Sequence, residues 1–212
     1  MELHVLRVFT DADGRHGNPL GVVLDGASVP EAQRQPLAAA LGYSETVFVD
    51  DAARGAIRIF TPAAELEFAG HPTVGTACLL GSDVLRPPAG DVRVRREDAV
   101  TWVRARPEWG PDFGIVQLAS AAEVEALSSP PAGLHDPAVW AHEDEPAGLV
   151  RMRVFPVSLG IREDEATGAA ALRLGALLGR ELTIRQGRGS ILHVRPGGDG
   201  FVEVGGRVVV EG

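Results

Sequence analysis

Two segments of the sequence share one pattern, in which a strand-like run ends at Phe and Pro, acidic residues follow, and a helix-like run comes next. These segments are IRIFTPAAELEFAGHPTVGTACLLG (57–81) and MRVFPVSLGIREDEATGAAALRLGALLG (152–179). Further strand-like segments follow each helix-like run. The repeated order predicts two similar α+β halves, because the apolar side of each helix has to be buried against a sheet.

The helix-like runs have recognisable ends. A first helix is predicted for PEAQRQPLAAALG (30–42), with an interruption at Pro36. Pro72 is predicted to occupy the first position of the second helix, where a missing N–H costs nothing. The third helix is predicted to begin near Ala166. Each of the three is expected to end at a glycine, at Gly42, Gly81 and Gly179 in turn.

Alternating apolar residues and flanking turn residues predict the strands. They lie in ELHVLRVFT (2–10), LGVVLDG (20–26), ETVFVDD (45–51), GAIRIFTP (55–62), DVRVRRE (91–97), AVTWVRARP (99–107), LVRMRVFPV (149–157), ELTIRQG (181–187), SILHVRP (190–196) and GFVEVGGRVVVEG (200–212).

The stretch from residue 107 to residue 148 differs in character from the rest of the chain. It is rich in proline, acidic and small residues, with one helix candidate in SAAEVEALSS (120–129). The segment PPAGLHDPAVWAHEDEPAG (130–148) is typical of a loop. A boundary is therefore predicted here, with a first half at 1–106 and a second at 107–212 whose start, 107–148, is linker-like.

The overall composition limits the classes of partner. A formal net charge of -9 argues against nucleic acid, because phosphate binding requires a basic surface. No apolar run approaches the ~20 residues that span a bilayer, and no secretory signal precedes the first strand. One cysteine excludes an internal disulfide, so a cytoplasmic protein is expected. No metal-ligand spacing and no nucleotide-binding glycine motif is present, so neither a metal nor a cofactor is predicted.

The two helix starts are candidates for binding an anion. The first turn of a helix presents backbone N–H groups without intrahelical partners, and small residues let a ligand approach them closely. Gly70 provides this in the first half, and Gly168 and Ala169 provide it in the second. His71 can carry a proton near neutral pH or cap the helix. For either helix alone, ordinary capping remains the alternative.

Two acidic residues stand at the borders of these elements. Glu45 begins an apolar strand, where it is either half-buried with a raised pKa or simply an exposed acid. Asp164 is positioned to cap the backbone N–H of Ala166 or Thr167, and capping is the stronger interpretation from position alone. Cys78 is expected on the apolar side of its helix.

The segments that carry these residues resemble one known family. GNPLGVV (17–23), YSETVFV (43–49), IFTPAAELEFAGHPTVGTA (59–77), REDEATGAAA (162–171), RQG (185–187) and VEVGGRVVVEG (202–212) are similar, in order, to motifs of the PhzF-like phenazine biosynthesis isomerases. The resemblance implies the diaminopimelate epimerase-like fold. In that fold, two pseudo-symmetric α+β halves each wrap a mainly antiparallel sheet around a central helix, and the active site lies between them.

The resemblance also implies an activity and a set of site residues. The family type enzyme isomerises trans-2,3-dihydro-3-hydroxyanthranilate by moving a proton, without a cofactor, and the family is commonly homodimeric. By motif, Glu45 would be the acid/base, and His71 and Asp164 would hold and polarise a substrate that carries a carboxylate. The substrate-binding residues implied in the same way are Asn18, Gly70, Thr73, Thr167, Gly168 and Ala169.

The chain differs from the family pattern in two respects. It is short, with the missing material expected around 107–150, so a reduced second half, a smaller second sheet and a more open cleft are expected. Glu165 stands where the family usually has proline, and Ala169 where serine is common, which adds a negative charge and removes a hydroxyl. A substrate other than the phenazine intermediate is therefore expected. The competing hypothesis is a non-catalytic metabolite-binding or interaction protein that retains the fold.

Overall fold

The computed structural model of the chain describes residues 2–211 and contains four α-helices and fourteen strands in that range. The helices are α1 (Glu31–Leu41), α2 (Gly70–Leu80), α3 (Ala121–Ala126) and α4 (Gly168–Leu178). The strands are β1 (Leu3–Thr10), β2 (Asn18–Val23), β3 (Glu45–Asp51), β4 (Ala56–Phe60), β5 (Glu65–Leu66), β6 (Val84–Leu85), β7 (Val92–Glu97), β8 (Val100–Ala105), β9 (Gly114–Gln117), β10 (Pro137–Asp144), β11 (Leu149–Val154), β12 (Leu182–Gln186), β13 (Ser190–Gly198) and β14 (Phe201–Glu211).

The strands form two sheets that share β14. The first sheet has the order β5-β4-β3-β2-β1-β14, and only its β2–β3 pair is parallel. The second runs β9-β10-β11-β12-β13-β14-β8-β7-β6, with parallel pairs at β9–β10 and β11–β12. The first part of β14 pairs with β13 and β8, and its last residues pair with β1. Mainly antiparallel pairing, as predicted, is therefore present in both sheets.

Each sheet packs against one central helix. Helix α2 contacts β1, β2, β8 and β14, and α4 contacts β9, β13 and β14. Both helices have eleven residues, and Gly70–Ala77 and most of the first two turns of α4 are buried. Each sheet and its central helix form one unit. One large apolar core, which includes Val74 of α2 and Leu172 of α4, extends through both units. The α+β architecture with two helix-centred units is the one that the repeated pattern predicts.

The predicted helix ends at glycine are confirmed, whereas two predictions about proline are wrong. Gly42, Gly81 and Gly179 all adopt the left-handed conformation at helix ends. Helix α2 begins at Gly70, so Pro72 is its third residue, still inside the turn whose N–H groups have no intrahelical acceptor. Helix α1 runs through Pro36, its sixth residue, so this proline removes one i→i−4 hydrogen bond without ending the helix.

The loop predicted for 130–148 is wrong in part, because residues Pro137–Asp144 form strand β10. Its first five residues, PAVWA, are buried between α3 and α4, and this burial outweighs the turn signals on either side. Pro137 is tolerated because it is the first residue of the strand. Together with β9 and α3, this strand gives the predicted linker-like stretch a structure of its own.

The proposed division at residue 106 stays a prediction. Strands β6, β7 and β8 precede that residue in the chain but join the second sheet. Among residues 2–211 the second sheet therefore has more strands than the first, and the expected smaller second sheet is wrong. None of the four helices in residues 2–211 has the length and apolar character that a bilayer crossing would require.

Candidate active site

The starts of α2 and α4 meet in the space between the two sheets. A Cβ atom added to Gly70 would lie 2.9 Å from the Cα atom of Gly168, and one added to Gly168 would lie 2.8 Å from the backbone N of His71. Any side chain at either glycine would therefore collide with backbone. The two glycines allow both helix starts, with their partly positive ends, to approach one point.

Glu45 and His71 form a buried pair beside these helix starts. Glu45 is the first residue of β3, and its Oε2 atom lies 2.9 Å from Nδ1 of His71 in the first turn of α2. Glu45 is 9% exposed and His71 is 2% exposed. The alternative of an exposed acid at position 45 is therefore wrong. The Nε2 atom of His71 is buried and has no hydrogen-bond partner among residues 2–211.

The charge of His71 determines the ionisation of Glu45. Burial by itself raises the pKa of the Glu45 carboxyl group, because a low-dielectric surrounding disfavours the charged form. The positive charge of His71 and the hydrogen bonds from His71 and Ser44 outweigh burial, so the pKa of Glu45 lies below its ordinary value, and the raised pKa expected for a half-buried acid is wrong. Glu45 is therefore an ionised carboxylate in a mostly dry site.

A chain of side-chain hydrogen bonds holds Asp164 on the opposite side. Asn18 Nδ2 donates to Asp164 Oδ1 at 2.6 Å and to the carbonyl of Ala166 at 3.1 Å. Thr167 Oγ1 donates to Asp164 Oδ2 at 2.6 Å. Gln186 Nε2 donates to that Thr167 hydroxyl and to the Asp164 carbonyl, both at 2.9 Å, and its Oε1 accepts from the Thr167 N–H.

These contacts correct the predicted role of Asp164. The sequence favours a helix cap, but α4 begins at Gly168 without a side-chain cap, and the Asp164 carboxylate accepts from side chains instead. Burial, and then the negative charge of Glu45, raise the pKa of Asp164 to about 7, although hydrogen bonds from Thr167 and Asn18 and the charge of His71 act in the opposite direction. The environments of the two carboxyl groups therefore shift their pKa values in opposite directions.

Both carboxyl groups line one small cavity. Its volume is about 20 Å³, which is room for about one water molecule. The polar part of the wall consists of Glu45, His71, Asp164 and Thr167, together with the backbone of both helix starts. The remaining wall is apolar and consists of Leu66, Ala69, Pro111, Phe113, Pro156, Leu159, Ile161 and Ala166. The space between the two units is narrow here, which differs from the open cleft expected from the short chain.

The predicted site residues fall into two groups. Those that line the cavity are Glu45, Gly70, His71, Asp164, Thr167, Gly168 and Ala169. Asn18 is 3% exposed and reaches the site through its bond to Asp164. The Thr73 hydroxyl instead donates to the carbonyl of Ala69 inside the first turn of α2. Cys78, expected in the core, is only half-buried.

The charge added at Glu165 lies outside the cavity. Its Oε1 atom accepts from the backbone N–H of Arg188 at 2.9 Å and from the Ser190 hydroxyl at 3.0 Å, both at the turn between β12 and β13. Ala169 does line the cavity, so the loss of a hydroxyl at that position is a real change of the wall. Among residues 2–211, no three His, Cys, Asp or Glu side chains are grouped as a metal ion would require.

Sequence reasoning did not identify Gln186, Ser44 or the apolar wall as parts of the site. Gln186 lies inside the quoted RQG segment, but its complete burial, which is unusual for glutamine, is visible only in the structure. Ser44 donates to Asn18 Oδ1 at 3.2 Å and stands within the quoted YSETVFV segment. The apolar wall comes from Leu159, Ile161 and other loop residues, and no pattern in the sequence marks them.

Comparisons with known proteins identify the family to which this chain belongs. The model of the phenazine biosynthesis-like protein family matches residues 6–98. A trans-2,3-dihydro-3-hydroxyanthranilate isomerase from Pseudomonas fluorescens is 31% identical, in an alignment that covers 81% of this chain and 78% of that protein. The isomerase of the same name from Pseudomonas aeruginosa is 32% identical over the same shares.

Solved structures show the same fold. A phenazine biosynthesis protein of the PhzF family from Bacillus anthracis matches with a TM-score of 0.77 at 20% identity, covering 100% of this chain and 98% of that one. A protein from Pseudomonas aeruginosa described as a predicted epimerase matches with a TM-score of 0.70 at 24% identity, covering 99% and 96%. The fold and the extended similarity to named isomerases lead to one conclusion: the chain belongs to the phenazine biosynthesis-like family and is a PhzF-like isomerase.

Proposed function

We propose that this isomerase moves a proton on a small metabolite that carries a carboxylate, without a cofactor, and that Glu45 transfers the proton. The observation that carries the proposal is the meeting of Glu45, His71 and Asp164 with two helix starts around one buried cavity. Abstraction of a proton from carbon needs a base to take the proton and hydrogen-bond donors to stabilise the anion that forms. An ionised carboxylate beside two helix starts provides both.

The proposed reaction has two proton transfers. The Glu45 carboxylate takes a proton from a substrate carbon next to a carboxyl or carbonyl group, and the C–H electron pair moves into that group to form an enolate. The protonated Glu45 then returns the proton to a conjugated carbon, which gives a double-bond shift and restores Glu45. For an epimerisation, the same carbon has to be protonated on its opposite face, so Asp164 would give its proton there, and exchange with water would restore both carboxyl groups. The net reaction is an epimerisation or a double-bond shift, with no change of oxidation state and no other reactant.

The backbone at the two helix starts would stabilise the enolate. The N–H groups of Gly70 and His71 in α2, and of Gly168 and Ala169 in α4, belong to first turns and have no intrahelical acceptor. Pro72 adds no N–H to this set. Donors that are already oriented toward the developing charge cost no reorganisation when the charge appears. The unpartnered Nε2 atom of His71 would bind a second polar group of the substrate.

A substrate needs more space than the cavity offers. An adjoining open pocket of about 310 Å³ shares Ile161 and Asp164 with the cavity and is also lined by Asn18, Tyr43 and Ser44. We propose that the substrate enters from this pocket and that the walls separate to admit it. Closure afterwards would exclude water and strengthen the charge interactions in the site.

Deuterium incorporation tests the proposal. The protein is incubated in D₂O with a panel of small carboxylates that includes trans-2,3-dihydro-3-hydroxyanthranilate, the compound in the name of two relatives. We expect a substrate carbon to gain deuterium, Glu45→Gln to abolish the gain, and Glu145→Gln, a change at an exposed turn, to leave it intact. Equal incorporation by Glu45→Gln would contradict the assignment.

A parallel binding measurement distinguishes the proposed isomerase from the competing hypothesis of a non-catalytic metabolite-binding protein. A ligand present at 100 times its Kd raises the apparent stability by ~2.7 kcal/mol, which is visible as a rise in Tm. A compound that raises Tm but gains no deuterium in the presence of the wild-type protein would favour a metabolite-binding protein that retains the fold. The homodimer implied by the resemblance stays a prediction that sedimentation equilibrium can test.

A further inference from the structure

The turn between β12 and β13 is bound to the two segments that flank Asp164. Ser190 is fully buried, and its Oγ atom accepts the backbone N–H of Gly17 at 3.1 Å. The single hydroxyl proton of Ser190 is donated to Glu165 Oε1 at 3.0 Å. The backbone N–H of Arg188 donates to the same carboxylate oxygen at 2.9 Å. One serine hydroxyl therefore connects the loop before β2 to the segment before α4.

These bonds close a ring around Asp164. Gly17 is followed by Asn18, whose amide holds Asp164 Oδ1 at 2.6 Å, and Asp164 is followed by Glu165. The path from Gly17 through Asn18, Asp164 and Glu165 returns to Gly17 through Ser190. Asn18 belongs to the first sheet and Ser190 to the second, so the ring crosses between the two units.

Glu165 has a defined place in this ring. Its carboxyl group occupies the space beside Gly187, where an added Cβ atom would overlap it. Its side chain is 17% exposed, and its second oxygen lies 3.5 Å from Nε of Arg188. The carboxyl group of Glu165 is therefore bound to the β12–β13 turn, although Glu165 also lines the adjoining pocket from which the substrate is proposed to enter.

We propose that Ser190 and Glu165 are positioning residues that, together with Asn18, hold the Asp164 carboxyl group in place across the two units. This inference rests on the proposed function for its catalytic meaning. Asn18 of the first unit holds the carboxyl group of Asp164 directly. The bonds of Ser190 to Glu165 and Gly17 hold the backbone next to Asp164 and next to Asn18. A catalytic group has to be held within about 0.5 Å of its productive position, and supporting hydrogen bonds of this kind provide that precision.

A variant without change of charge gives the first test. Ser190→Ala removes the bridging hydroxyl and leaves every charged group near Asp164 unaltered. Inside the cavity these groups are Glu45 of β3 and His71 of α2. On the outer side, along the groove that Asp164 also lines, they are Glu125, Arg151, Arg153, Glu163, Glu165 and Arg188.

The readout is the pKa of Asp164, measured by NMR on protein with ¹³C-labelled aspartate carboxyl groups and assigned with Asp164→Asn. We expect Ser190→Ala to lower this pKa by about half a unit or more, because water reaches the loosened carboxyl group and burial is the main cause of its raised value. Ser128→Ala, at an exposed serine, is the matched control. An unchanged pKa in a folded Ser190→Ala protein would overturn the proposal.

Glu165 provides a second variant if Ser190→Ala fails to fold. Glu165→Gln retains an oxygen that can accept from Ser190 and Arg188, whereas Glu165→Ala removes it, and both lose the same charge. We therefore expect a lower pKa of Asp164 in Glu165→Ala than in Glu165→Gln. Equal values in the two variants would mean that only the charge matters, which overturns the positioning role.

Catalysis is measured separately, so that the two proposals fail independently. With a compound that gains deuterium, Ser190→Ala and Glu165→Ala are expected to lower kcat, with the double variant no slower than the slower single one, because both break one connection. If the loss of kcat in the double variant equalled the sum of the two single losses on a free-energy scale, Ser190 and Glu165 would act independently, which contradicts a single ring. If the wild-type protein labels no compound, the proposed function fails, while the NMR titration still decides whether the ring holds Asp164.

Discussion

His71 Nδ1 and Glu45 Oε2 lie 2.9 Å apart in a site where both side chains are almost fully buried. Removal of one member of such a pair leaves the other as an uncompensated buried charge. For Glu45, the loss of His71 leaves burial as the dominant influence on its pKa, and burial disfavours the carboxylate.

We therefore predict that His71→Asn raises the pKa of Glu45. If Glu45 is the base, the acidic limb of the pH–rate profile for deuterium incorporation moves to higher pH, and the rate at neutral pH falls by ~100-fold or more. The profile of His135→Asn, at an exposed histidine, serves as the control. An acidic limb at the same pH in His71→Asn would show that this pair does not determine the active ionisation state.

Asp164 makes the stability of the protein depend on pH in a specific direction. Its pKa is about 7 in the folded protein, compared with an ordinary value of 3.8, so between these values the folded state binds more protons than the unfolded state. The stability that this carboxyl group contributes is complete at low pH, is lost as the pH rises toward 7, and stays lost above it.

We predict that Asp164→Asn becomes more stable relative to the wild-type protein as the pH is raised from about 5 to about 8, by a few kcal/mol at most. The free energy of unfolding in urea, measured at several pH values, checks this, with Asp199→Asn at an exposed turn as the control. Only the difference between variant and wild type is used, because all other titratable groups are present in both proteins. A difference that does not change with pH, or that falls, would contradict the raised pKa.

The sequence contained more information about the site than about the walls around it. Three helices end at glycine, and this is a local feature that the sequence shows directly. The positions of Glu45, His71 and Asp164 are also marked locally, by the motifs in which they stand. Strand β10 was missed because its buried PAVWA run stands between proline and glycine, and only packing against α3 and α4 decides its conformation. The small size of the cavity depends on Leu159 and Ile161, which line it together with the start of α2, and such a contact between distant segments is a tertiary property.

The contact between Gly70 and Gly168 predicts that alanine at either position lowers the stability of the protein, although alanine has the higher helix propensity. Replacement of glycine by alanine inside a helix ordinarily stabilises it by up to ~1 kcal/mol. Here the added methyl group would lie 2.9 Å from the Cα atom of the other glycine. We predict that Gly70→Ala and Gly168→Ala each lower the free energy of unfolding by ~1–3 kcal/mol, as overpacked sites do.

Chemical denaturation with tryptophan fluorescence measures this effect. Because both glycines make the same contact, the double variant is expected to depart from the sum of the single variants. Ala176→Gly, in the later part of α4, estimates the ordinary propensity difference in the same helix. A gain in stability from either glycine substitution would mean that the two helix starts lie far enough apart to accept a methyl group.

Gln186 makes three hydrogen bonds inside the protein and is fully buried. Gln186→Met fills a similar volume but leaves the Thr167 N–H and the Asp164 carbonyl without this partner. A buried polar group that loses its partner costs ~1–3 kcal/mol, so we predict a loss of at least ~2 kcal/mol in the free energy of unfolding. Gln117→Met, at an exposed position of β9, is the matched control and should change stability little. If both substitutions have the same small effect, water replaces the amide of Gln186 freely, and the hydrogen-bond chain from Asn18 to Gln186 does not hold Asp164.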